Sequence, residues 1–124
     1  MTDTKISIRP VIKNIGIIEN KNEAENFQNT TLRPILKLQH ELLILFFENY
    51  VKRKKIDFQG LSSIKKNDLL VTIFKNDTMF KTELRGMIIG HFTVSEFALY
   101  QTISSDASKR IFAMAKERLH SVFL

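Results

Sequence analysis

The chain has 124 residues, 44% of them apolar, and its nineteen Lys and Arg outnumber its thirteen Asp and Glu to give a formal charge of +6. That length suits one compact domain, and that apolar content excludes a wholly disordered chain. The lack of cysteine excludes disulfides, thiolate zinc sites and cysteine nucleophiles, and the longest apolar run, residues 42–47, falls far short of the roughly 20 residues that cross a bilayer.

The first segment, "MTDTKISIRP", carries an early acid and no unbroken apolar stretch, so it does not read as a secretory signal. With no cysteine to oxidise, the expected compartment is cytoplasmic, with no membrane association. Residues 1–21 differ from the rest. Ile6 alternates with Ile8, and Ile15 with Ile17, around Pro10 and Gly16. Alternation of that kind predicts an extended N-terminal arm, and Pro10 pushes Arg9 toward extended backbone. A disordered tail is the alternative reading.

Residues 22–124 read as a single helical domain. Asn22 and Glu25 have the spacing of a helix cap and its reciprocal acid. From there, apolar residues including Phe27, Ile35, Leu36, Leu43, Phe47 and Tyr50 recur at helical spacing. Pro34 either starts a second helix or kinks one long helix where it cannot bond back to the Thr30 carbonyl. The kink is preferred, because the apolar spacing runs through it. The helix is expected to end in Lys52, Arg53, Lys54 and Lys55, where cations suit the negative end of the helix dipole.

Gly60 marks a connector, and Ser62 or Ser63 is expected to cap a helix that buries Leu69, Leu70, Ile73 and Phe74. Asp77 caps the next helix. Gly86 and Gly90 lie four apart in it, a spacing that predicts close packing against another backbone. "TVSE", residues 93–96, is a capping box by type and spacing. A turn over "ISSDASK" precedes the last helix, capped by Ser104 or Ser105, with Phe112, Ala115, Leu119 and Val122 on one face. The expected architecture is all-α: a bundle of five helices, or four if short ones merge, behind the extended arm.

The stretches "FQNTTLRPILKLQHELL", "LRGMIIGHFTVSEF" and "KRIFAMAKERL" resemble a group of short bacterial all-helical proteins often carried under a glyoxalase label. The likeness covers most of the chain from about Phe27 onward. It implies a helical fold and brings no catalytic or binding residues with it. The glyoxalase I fold requires βαβββ units and a metal held by His and Glu on a curved sheet. The pattern here offers no such strands, so an enzyme of that type ranks third among the functional readings.

The side-chain chemistry points the same way. His40, His91 and His120 fall on three different helices, without the His-x-x-x-His or Glu-x-x-His spacing that favours metal. There is no G-x-S-x-G elbow and no glycine-rich phosphate loop. No catalytic residue, metal ligand or cofactor is expected. Lys52, Arg53, Lys54 and Lys55 form the best partner surface, followed in the chain by Lys65 and Lys66. Nucleic acid ranks second as a partner, because no aromatics interleave with this run. The apolar run 42–47, with Met87, Ile88, Ile89 and the isoleucines of the arm, asks for more cover than one copy provides. The leading expectation is a non-catalytic, self-associating helical interaction module, assembled as a homodimer through the arm and the long helix.

Overall fold

The computed structural model describes residues 4–11 and 22–124. Ile15, Gly16 and Ile17, the second half of the expected alternation, lie outside the described residues. Helices make up the regular structure, and no strand occurs among the described residues. No described helix is long and apolar enough to cross a membrane.

The extended arm needs correction where it is described. Thr4–Ser7 closes a single helical turn, α1, with the Ser7 hydroxyl donating to the Thr4 carbonyl at 2.9 Å. Pro10 ends it by excluding the residue before it from further helix. The isoleucines do not anchor this segment; Ile6 and Ile8 stay about half exposed. Polar groups hold it instead. Lys5 Nζ donates to the Phe92 carbonyl at 2.9 Å, and the Arg9 guanidinium donates to the His91 carbonyl at 2.6 Å. Arg9 also grips both oxygens of Glu96, each at 2.7 Å.

The long rod begins at α2 (Glu23–Phe27). Asn22 Oδ1 accepts from the Glu25 N–H at 2.8 Å, as the cap spacing requires. Next comes a π-turn over Gln28–Leu32, in which the Arg33 N–H donates to the Gln28 carbonyl five residues back. The widened turn falls just before Pro34, which has no N–H to offer and sits in the first turn of α3 (Arg33–Leu38), where that lack costs least. Gln39 makes a second irregularity, yet its N–H still bonds to Ile35 and its carbonyl still accepts from Leu43, so α4 (His40–Arg53) continues the rod. New α-helical bonding starts beside Pro34, directly after the π-turn, so the helical hydrogen bonding runs on from one to the other.

α4 ends in a Schellman motif. The Ile56 N–H bonds to the Val51 carbonyl at 2.9 Å, and the Lys55 N–H to that of Lys52 at 3.0 Å. Lys55 takes the left-handed position at φ 58°, a place that favours glycine. Ser62 caps α5 (Ser63–Asn76) through the Lys65 N–H, and Asp77 caps α6 (Thr78–Ile89) through the Phe80 N–H. Thr93 and Glu96 form the complete capping box of α7 (Val94–Thr102). α8 (Ser104–Phe123) has no side-chain cap. Ile103 stands at its N-cap, and the expected serines lie inside the first turn.

The buried stripe of α8 is Ala107, Ile111, Ala115 and Leu119, a four-residue repeat that includes two of the four residues expected. Phe112 is only partly buried and Val122 is exposed. Around this stripe the core is strongly aromatic. Phe47 meets Phe58 edge-on at 5.1 Å and Phe123 at 5.3 Å. Phe80 is ringed by Phe46, Tyr50 and Phe74. Phe27 meets Phe92 edge-on at 5.4 Å, with Tyr100 alongside. Edge-on aromatic pairs are worth about 0.5–1.5 kcal/mol each beyond the area they bury.

Candidate interaction surfaces

The apolar run of α4 divides by helical geometry. Leu43 and Phe47 are fully buried, Ile44 and Phe46 partly so, while Leu42 is 50% and Leu45 61% exposed. α6 lies beside α4 and runs in the opposite direction. A Gln39–His91 side-chain hydrogen bond ties one end of the pair. Tyr50 donates to Asp77 at 2.5 Å to tie the other. Between the ties, Phe46 rests on Phe80. On the outward side of α6, Met79, Glu83, Gly86 and Gly90 follow one another at helical spacing, and all four are exposed.

The close packing expected at Gly86 and Gly90 is absent from the described chain. A Cβ at Gly86 meets nothing within 4 Å, and one at Gly90 meets only the Gly86 and Met87 carbonyls of its own helix. Both glycines cost helix stability without admitting a neighbour among the described residues. They leave the C-terminal end of that side of α6 without side chains. α7 adds a second exposed face: Val94, Phe97, Ala98 and Gln101 are exposed at helical spacing, with Val94 at 90%.

The four basic residues lie where the dipole argument places them, at the end of α4 and in its cap. Lys52, Arg53, Lys54 and Lys55 are all exposed. Arg53 and Lys54 stand over the Tyr50 ring, at 5.9 and 5.8 Å from its centroid. One aromatic does therefore lie beneath the run, one turn back along the helix rather than between the charges. Burial and the Asp77 carboxylate push the Tyr50 phenol up to about 12, and the hydrogen bond from Tyr50 holds Asp77 below the usual carboxylate range. Because Lys55 holds a left-handed backbone, Lys55→Gly is expected to raise stability by about 1 kcal/mol in a urea melt, despite removing a surface charge.

The histidines do not converge. His40 accepts from Arg118 at 3.2 Å, His91 pairs with Gln39, and His120 is exposed. Among the described residues no three His, Asp or Glu side chains gather as a metal-binding group. Two polar constellations had no signal in the sequence. One is the clasp of Arg9 on Glu96, whose members lie 87 residues apart. The other is a groove between α3 and α8 lined by Arg33, Lys37 and Arg118. Arg33 and Lys37 have the i, i+4 spacing that places both on one helix face, which was the only hint of it.

No protein-family model, curated protein or solved structure matches this chain. The functional reading therefore stands on its own residues.

Proposed function

We propose that this chain is a non-catalytic interaction module whose first partner is a second copy of itself, forming a cytoplasmic homodimer. The observation that carries this reading is the exposure of Leu42 and Leu45 on α4, together with an exposed side of the neighbouring α6 that carries Gly86 and Gly90. Covering a large aliphatic side chain contributes roughly 1.5–3 kcal/mol, and Met79 on α6 is 68% exposed as well. Smooth, small-residue walls let a second helix approach closely. Light scattering across a concentration series tests the proposal. The wild-type chain is expected at twice its monomer mass. The double variant Leu42→Glu, Leu45→Glu is expected at the monomer mass with its helical circular dichroism intact. A monomeric wild-type protein at high concentration removes the proposal.

The second reading is a basic regulator that binds nucleic acid, and one observation favours it. Lysine occupies the left-handed cap position at residue 55, extending a row of four exposed cations where glycine is the cheaper choice. A gel-shift assay at two salt concentrations decides it. Binding through this row is expected at low salt and falls steeply as salt rises, because counterion release drives such contacts. No shift at low salt ends this reading.

A further inference from the structure

α8 advances beside the rod in the same direction. Arg110 donates to Gln28 at 2.8 Å, Arg118 reaches His40, and Phe123 packs on Phe47. Between α3 and the C-terminal half of α8 the two helices leave a groove of about 350 Å³, lined by Arg33, Lys37, Met114, Glu117, Arg118 and Ser121. That volume falls within the range of small-molecule sites. Three cations and one carboxylate give the lining a net charge of +2 at neutral pH.

Two of these three cations, Arg33 and Lys37, make no side-chain hydrogen bond or ion pair among the described residues, and Glu117 lies beyond ion-pair distance of all three cations. The hydrogen bond of Arg118 is to a neutral imidazole nitrogen rather than a carboxylate. Partial burial and the nearby Arg33 both act against the charge on Arg118, and Glu117 offsets them only in part. Like charges held together around a half-buried guanidinium destabilise the free protein. An arrangement of that kind is stabilised by an anion. Guanidinium forks match phosphate oxygens in pairs, which an ammonium alone does not do.

We propose that this groove binds the phosphate monoester of a small metabolite, whose two negative charges balance the lining. Arg33 and Arg118 grip the phosphate oxygens, Lys37 adds a point charge, and Ser121 donates a hydrogen bond. Met114 covers the carbon skeleton, and Glu117 accepts from a hydroxyl on it. This site is independent of self-association and of the basic row at the end of α4.

Calorimetric titration at constant ionic strength tests the proposal, with inorganic phosphate and glycerol phosphate as probes and chloride as the reference anion. Both phosphates are expected to bind saturably, glycerol phosphate more tightly. Arg33→Gln and Arg118→Gln are each expected to weaken phosphate binding by about ten- to a hundredfold, the worth of one charge-assisted hydrogen bond. Arg33 is exposed, so its variant retains the fold. Glu117→Gln is expected to tighten inorganic phosphate, a gain that misfolding cannot imitate. Removing charge elsewhere, by Lys52→Gln with Lys54→Gln, is expected to leave binding unchanged. Chloride matching phosphate, a Glu117→Gln variant no tighter than wild type, or equal loss from the Lys52 and Lys54 changes would each overturn the assignment.

Discussion

Phe47→Ala is expected to destabilise the protein by about 3–5 kcal/mol, a large share of the roughly 5–15 kcal/mol that holds a domain of this size. The ring has no exposed surface and touches three elements at once. It meets Phe58 in the connector before α5 and Phe123 at the end of α8, from its own place on α4. Phe58 and Phe123 also meet each other edge-on at 5.6 Å, so the three rings close a triangle. Deleting one ring removes two of its three contacts and leaves a cavity that the remaining rings cannot fill without leaving each other. Urea denaturation gives the measurement, with Leu45→Ala as the reference in protein dilute enough to be monomeric. Leu45 is two residues away and 61% exposed, so its change is expected to stay within about 0.5 kcal/mol. Equal losses at the two positions would contradict the packing described here.

That contrast shows what the sequence carried and what it did not. Six consecutive apolar residues say that the helix has little polar surface. They do not say which third of it faces outward, because that depends on where α6 and α8 lie. Local signals fared better. Asn22, Asp77 and the Thr93–Glu96 box each act within three residues of themselves, and all three cap as their spacing indicates. Where the competing choices were also local, the outcome turned on geometry absent from any pattern. Ser104 lies in the first turn of α8 rather than at its cap, because the chain enters from Ile103. Pro34 announces a missing donor, but the response, a π-turn of five residues upstream, is a choice of backbone register.

The candidate surfaces were legible to different degrees. The basic row could be placed because four adjacent cations at a helix end need no tertiary information. Gly86 and Gly90 showed the opposite. Their spacing indicates that something can come close, and among the described residues nothing does. The groove between α3 and α8 joins Arg33 and Lys37 to residues about eighty positions later, and single-chain periodicity has no means of pairing them. The same holds for the N-terminal segment. Its isoleucines suggested apolar anchoring, whereas Arg9 and Lys5 hold it. Charge on a short segment looks like solubility until the partner carboxylate is located.

Glu96→Ala is expected to release that segment and to lower stability by about 2–4 kcal/mol, since it strips the partner from a buried charge and removes a helix cap. Glu96 serves four groups. It receives both arms of Arg9, the Thr93 N–H at 2.9 Å and the Thr31 hydroxyl at 3.2 Å. The Arg9 side chain is only 6% exposed, so losing Glu96 strands a guanidinium in a place with little water. The cheapest relief is for residues 4–11 to leave the surface, which returns the Arg9 guanidinium to water. Hydrogen exchange should then show protection lost at residues 4–11 and around 91–93, with α5 and α8 unaffected. The pH dependence follows from the same contacts. Burial raises the Glu96 pKa, but Arg9, Thr93 and Thr31 together outweigh it and hold the carboxyl below its ordinary 4.5. Burial, Arg9 and Lys5 likewise hold His91 below its ordinary 6.5. In both cases the unfolded chain binds the proton first, so stability falls as pH drops, beginning near the ordinary 6.5 for His91 and 4.5 for Glu96 and continuing down to the lower folded-state value of each. Asp77, held down by Tyr50 and the Phe80 N–H, adds to the same low-pH loss, so the Glu96→Ala variant is expected to lose less stability than wild type below about 4.5 and to keep the share that belongs to Asp77. A variant that loses as much as wild type there would place the acid-sensitive carboxylate elsewhere.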